Sequence, residues 1–537
     1  MSLRKRLFSA ALIILMAAGA LYVGKSGMMI SDSTAESIFR HKESIYFWYT
    51  DETLTDYLNS AAVAYNETKE DIRVVPVLVS ANDYLEAINK ASLEGESVPD
   101  VYLLPHDSLE KAYLSGLATQ VKDYDNVCNT DSFHQVALDA VTYHDKIVAY
   151  PFYYETSVLL YNKTYLKEHA TRQLEEEAQA AAEETGEVTD TEEVAVDETV
   201  SEEAESEKAA EIAERVNQML PETMDDILTF GNEYDAPEHV EAIFKWDVAD
   251  VFYNYFFIGK HMILGGDTGD GSSNIDIYNL DTMKCLQVFQ NLNEFFSIDA
   301  SEVSYQEVVR DFLTGKIVYT VVTSDILKTL ENAVIADESE ESFAYEYGFA
   351  EVPNPSAELE GRALSMTGSV AINGYSKNIK EANEFAKFLT CDFTKDLYDR
   401  TGKLSAHKME YTEGSGFDVF AQAYEQSIPM PKMVEVSNFW MQLEIAMRDI
   451  WEGSDINASL KALSEQIMTQ VTGQPYTEEY IHLEVGEEPE FTDGEIIEED
   501  TVTNRDLFDT KIMGILTPAP SVVQRTFAEK YAVSPVE

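Results

Sequence analysis

Two carboxylates stand where chain geometry favours contact with a ligand. Asp107 follows the apolar run VYLL (101–104) and the pair Pro105-His106. An Asp just past a strand's carboxyl end either accepts hydrogen bonds from a ligand or caps the helix that 108–118 (SLEKAYLSGLA) predicts. Glu155 lies in FYYET, with Tyr154 before it and Pro151 upstream, between a hairpin-like stretch at 141–150 and a strand at 157–162. Such carboxylates can accept paired hydrogen bonds from vicinal hydroxyls. They could also be a glycosidase pair if about 5 to 10 Å apart. That chemistry needs one acid with a raised pKa, which no sequence feature supplies, so no enzyme is expected.

Other chemistries lack their residues. There is no G-x-x-x-x-G-K-[ST], no G-x-G-x-x-G after a strand, no H-E-x-x-H and no G-x-S-x-G. The nine histidines form no i, i+4 pair, and residues 265–271 (GGDTGDG) read as a hairpin turn rather than a calcium loop, which needs alternating oxygen ligands and a terminal Glu. Neither a metal nor a cofactor is expected. Cys128, Cys285 and Cys391 are too few and scattered for a disulfide framework.

The elements that position the carboxylates alternate from residue 44 onward. IYFW (45–48) reads as a strand, Leu54, Leu58, Ala61, Ala62 and Tyr65 recur at helical spacing, RVVPVLV (73–79) is β-rich, and a third strand ends before Asp107. This alternation predicts an α/β fold with a mainly parallel sheet covered on both faces. With 537 residues, 45% hydrophobic, the chain is long enough for two or three domains or one large two-lobed unit. Its formal charge of -60 excludes a phosphate-neutralising nucleic-acid binder. Much of that charge is local. Residues 170–215 carry 17 acidic and three basic residues, fitting either a solvated helical hairpin or a disordered loop, and 474–537 form a second acidic stretch. Arg4, Lys5 and Arg6 precede an apolar run at 7–23, the arrangement of an export signal, cleaved or retained as an anchor. The remainder is expected at the extracellular face of the cytoplasmic membrane, anchored or secreted.

Six phrases in order, PDVYLLPHDSLEKAYLSGLATQV, AVTYHDKIVAYPFYYETSVLLYNKTYL, LPETMDDIL, DFLTGKIVYTVVTSDI, GSVAINGYSKNIKEANEFAKFLT and MPKMVEVSNFWMQLEIAMRDIW, resemble the extracellular solute-binding proteins of bacterial ABC importers, in the cluster that contains maltose-binding protein. The resemblance covers nearly all of 44–473. It implies a two-lobed periplasmic-binding-protein-like fold of type II: 1–27 a signal peptide or anchor, 44–153 with 369–404 one lobe, 157–365 with 409–473 the other and holding the insertion 170–215, and 474–537 an extension. Hinge crossovers fall near 153–156, 365–369 and 404–408. By the same resemblance Asp107 and Glu155 hydrogen-bond sugar hydroxyls and Trp440 stacks on a sugar ring, while Trp48, Asp51 and Glu52, Tyr154, Trp246 and Asp247 fall in ligand-contacting segments. Read from the residues alone, Trp440 and Trp246 could equally pack in a core, and Asp51 and Glu52 could favour a helix N-terminus. Leu104 replaces an aromatic, Ser108 a basic residue, and VVTSD lacks the family's G-P-W, so the sugar is left open. The implied function is capture of a carbohydrate by a monomeric receptor that hands it to a membrane permease whose ATPase is another chain. The alternative is a membrane-anchored sensor or scaffold on the same fold.

Overall fold

The computed structural model describes residues 42–95, 98–185, 198–335 and 345–482. The expected export segment 1–27 and the extension from 483 onward lie outside them. Among the described residues no helix is long and apolar enough to cross a membrane.

Ten strands form one mixed sheet: β1 (Glu43–Tyr49), β2 (Ile72–Leu78), β3 (Val101–Pro105), β4 (Ala149–Asn162), β5 (Ala242–Phe244), β6 (Ile317–Thr323), β7 (Tyr347–Ala350), β8 (Leu364–Ile372), β9 (Leu404–Ser405) and β10 (Ile428–Pro429). Their order is β2-β1-β3-β8-β4-β6-β5, with β7 and β9 also on β4 and β10 on β8. The expectation of a mainly parallel sheet holds for β1, β2 and β3 and for the pairs β5–β6 and β8–β10, but the sheet is mixed, because β8 runs antiparallel to both β3 and β4, and β4 runs antiparallel to β6, β7 and β9. A strand-helix alternation fixes direction only between consecutive strands. β8 arrives after a long excursion through the rest of the fold and carries no such constraint.

β4 is the organising element. All of its 14 residues, AYPFYYETSVLLYN, are buried, so both faces are covered and the sequence runs apolar without alternating. Its residues up to Thr156 pair with β8, and from Ser157 onward they pair with β6 and β7. The strand thereby passes from one section of the sheet to the other. Pro151 lacks an amide hydrogen, and the register against β8 shifts beside it, between Gly368 and Ser369. Gly368 is required by contact: a Cβ there would stand 2.4 Å from the ring of Tyr153.

The acidic insertion is a pair of helices, Lys163–Thr185 and Glu198–Gln218, packed against each other. The described parts of the insertion are therefore helical, and residues 186–197 lie outside the described residues. Ala, Glu, Gln and Lys are strong helix formers, and the ion pairs Lys208–Glu175 (3.2 Å) and Arg215–Glu177 tie the helices together. Residues 265–271 connect two short antiparallel strands, Ile263–Leu264 and Ile275–Asp276, with positive φ at Gly265, Gly266 and Gly269. The first residues of the acidic extension run back along the helix Ile456–Thr472: the Asn457 amide donates to the Ile481 carbonyl (2.7 Å), and Ser464 donates to Glu478 Oε1 (2.6 Å).

Candidate ligand-binding site

A cavity of about 410 Å³ lies where β1, β2 and β3 end, walled by Asp51, Asn82, Asp83, Pro105, Ser108 and Tyr153 among others. Parallel strands place their carboxyl ends, and so the loops that follow, on one edge of the sheet. Asp51 comes directly after β1, Asn82 and Asp83 after β2, and Ser108 after β3.

Asp51 is buried and does two things at once. Its Oδ1 caps the short turn Glu52–Leu54, accepting from Thr53 N (2.9 Å) and Thr53 Oγ1 (2.6 Å). Its Oδ2 meets Lys403 Nζ at 2.9 Å. The same ammonium stands 3.7 Å from Glu155 Oε1 and 4.7 Å from the centre of the Tyr153 ring. Register explains the meeting: β9 pairs Leu404 with Tyr154 and Ser405 with Tyr153, which sets Lys403 opposite Glu155. The approach is set by Gly402, which ends the helix Leu397–Thr401 at φ +74°, and that helix packs against the turn behind Asp51. Burial works against the Lys403 charge, but Tyr153, Glu155 and Asp51 together hold its pKa above that of an ordinary lysine. A buried cation thus joins two buried carboxylates from separate elements.

Asp107 sits inside the one-turn helix His106–Ser108 and does not cap the following helix, whose N-cap is Ser108. Its Oδ1 is shut off from solvent without a hydrogen-bond partner among the described residues. Burial raises its pKa and bonding to Ser108 opposes the rise. This is a raised-pKa carboxyl that sequence reasoning did not foresee. Next to it His106 is fully buried, its Nδ1 accepting from Thr367 N (2.9 Å) and its Nε2 2.8 Å from the Met430 carbonyl. Burial first, then Lys432, pushes its pKa down to about 3.

The other residues named from the sequence lie elsewhere. Glu52 is exposed in the first turn after β1. Trp48 is inside β1, paired with Val77 and Tyr102, and packs against the apolar cluster around Tyr102 and Leu104. Tyr154 is buried with its ring stacked on Tyr424 at 3.9 Å. Trp246 belongs to the core: it is fully buried, stacks on Phe244 at 4.4 Å, meets Trp451 edge-on at 5.5 Å, and donates its Nε1 hydrogen to Asn254 Oδ1 (2.8 Å). Asp247 beside it accepts from the backbone N–H of Ala249 (3.1 Å), Asp250 (3.3 Å) and Tyr305 (2.9 Å), a loop-fastening role. Large aromatics fill cores as readily as they cover sugars, and spacing alone does not separate the two. Trp440 stays half-buried, edge-on to Tyr255 at 5.6 Å.

The structure therefore brings Asp51 and Glu155 together, sets Asp107 in the chain between Pro105 and Ser108 of the cavity wall without lining it, and adds Lys403 and Tyr153, which sequence reasoning missed. The available signal for Lys403 was a Gly-Lys pair before an apolar strand near an expected crossover. Among the described residues no cluster of His, Cys, Asp and Glu could hold a metal.

Residues 51–391 match the bacterial extracellular solute-binding protein family. The chain belongs to that family. No curated protein matches it in sequence. Similar solved structures include a cyclo/maltodextrin-binding protein complexed with maltotetraose (16% identity, TM-score 0.61, covering 80% of this chain and 98% of that one). Another is the extracellular solute-binding protein of Staphylococcus aureus in complex with maltose (17%, 0.60, 80% and 98%). A third is the maltose-binding periplasmic protein of Listeria monocytogenes, also with maltose (18%, 0.57, 81% and 100%). At these identities the likeness establishes the fold, that of binding proteins.

Proposed function

We infer that this chain is the extracellular capture component of an ABC importer, taking a carbohydrate between two lobes and delivering it to a membrane permease without chemical change. The observation that carries this reading is the cavity at the strand ends, with Asp51 in its wall, Glu155 tied to Asp51 through Lys403, and an unpartnered Asp107 Oδ1 beside it. Carboxylate acceptors suit a hydroxyl-rich ligand. The passage of β4 from one sheet section to the other at Thr156 and Ser157 fits a hinge there, with 44–153 and 369–404 forming one lobe and 157–365 and 409–473 the other. On this reading the half-buried Trp440 stacks on the sugar when the lobes close, residues 1–27 export the chain and anchor it or are removed, and the protein acts as a monomer. Trp48, Tyr154, Trp246 and Asp247 support the walls instead of touching the ligand.

The test is a thermal-shift screen of the purified full-length protein against mono- and oligosaccharides, with amino acids and peptides as controls. A ligand at 100 times its dissociation constant adds about 2.7 kcal/mol of stability. A shift confined to sugars and abolished by Glu155→Ala and Asp107→Ala supports the reading. A shift by peptides alone removes the carbohydrate claim, and a flat response to every solute removes the receptor claim.

A further inference from the structure

Lys403 offers more than support to the cavity. Its side chain is 13% exposed, and its ammonium bridges Asp51 and Glu155, whose side chains are 8% and 9% exposed, while resting on the face of Tyr153. Asp51 and Tyr153 form part of the cavity wall, so the cation lies immediately behind the surface a ligand meets. An ammonium group of a ligand would seek the place between these two carboxylates. That place already holds a tethered ammonium, which competes at high effective concentration. With the pair already balanced by Lys403, a neutral hydroxyl donor brings no further charge to be compensated, whereas an amine does. Farther along the wall Asp83, Glu86 and Lys111 are also present, and none of them takes part in the bridge.

We propose that Lys403 is a positioning residue that sets the specificity of the cavity, acting through Asp51 and Glu155 to select uncharged, hydroxyl-bearing ligands over amines. The proposal rests on the reading of this cavity as a carbohydrate site, and it makes Lys403 an internal stand-in for a cationic ligand group. Removing the cation without changing the carboxylates opens the position to an amine. Arginine, which keeps the charge, preserves the selection.

The experiment compares full-length wild type with Lys403→Met and Lys403→Arg, using glucose, maltotetraose and cellotetraose as neutral probes and glucosamine and the glucosamine tetramer as cationic ones. The wild type responds to a neutral probe and prefers it over the amine. Lys403→Met shifts the ratio of affinities toward the amine by at least tenfold, and Lys403→Arg restores the wild-type ratio. A ligand-free measurement runs beside it: melting temperatures at pH 5 and pH 8. In Lys403→Met two uncompensated buried carboxylates favour protonation, so its deficit against wild type shrinks at pH 5; a purely steric role leaves the deficit the same at both. An unchanged ligand ratio in Lys403→Met overturns the proposal. Should the wild type bind no sugar, the carbohydrate reading falls, and the ligand-free arm still decides whether Lys403 compensates the pair: parallel melting profiles reject it, convergence at pH 5 supports it.

Discussion

Buried carboxylates occur in both sections of the sheet, and the two groups are handled differently. Past the end of β1 and at the middle of β4, Asp51 and Glu155 flank the ammonium of Lys403, which stays charged. Beyond β5, Asp247, Asp250 and Glu444 crowd together. Burial and then Asp250 raise the pKa of Asp247, against three backbone hydrogen bonds, and burial, Asp250 and Asp247 push Glu444 up to about 8, against Arg448. The first group is compensated by a cation from a third element, and the second is relieved in part by taking up protons. Proximity of acids therefore does not define a binding site here. What distinguishes the candidate site is that the Asp51–Lys403–Glu155 group balances its own charges while Asp51 opens onto a cavity.

The sharpest way to break this contrast is to remove the cation. Lys403→Met leaves two buried carboxylates uncompensated and is expected to lower stability by about 3–5 kcal/mol, measured by denaturant unfolding at pH 7; a change under about 1 kcal/mol would mean that the bridge contributes little. Trp246→Ala should cost about as much, ~3–5 kcal/mol, through the cavity it leaves, while sugar affinity of the folded fraction stays at the wild-type value. A selective loss of affinity would return Trp246 to the binding site.

The second group predicts a pH dependence. A carboxyl whose folded pKa lies above its unfolded value stabilises the fold below the unfolded range, near pH 4, and that contribution is lost as pH rises toward about 8. Glu444→Gln should flatten the stability profile between pH 5 and 8 by about 1–2 kcal/mol, discounted for its partial exposure. An unaltered profile would show the cluster already relieved. His106 acts in the opposite sense: its folded pKa is depressed to about 3, so the unfolded chain takes up a proton near pH 6.5 that the folded chain refuses, and stability falls as pH drops below that value. His106→Asn lowers stability at pH 7 but removes this part of the acid limb. The smallest effect belongs to the helical hairpin, where Lys208→Ala breaks an exposed ion pair and should leave the melting temperature unchanged.

How much was legible from residue order varied with the kind of evidence. The first three strands and their helices were readable because periodicity is local, and so were the positions of Asp51 and Asp107 just after strands, because strand ends are marked by the residues that follow the apolar runs. The direction of β8 was not, since no local signal reports the partner of a strand that returns from 200 residues away. Tryptophan was the least informative type. Trp246 and Trp440 share a composition signal, yet one is sealed between Phe244 and Trp451 and the other is only half-buried.

Residue order by itself determined the alternating elements, the acidic character and the family phrases, because propensity, charge and hydrophobic period act between neighbours in the chain. Only the tertiary structure decided that Lys403 stands between Asp51 and Glu155, three residues spread over more than 350 positions. Coulomb interaction depends on distance in space and on exclusion of water, and both are set when β1, β4 and β9 meet.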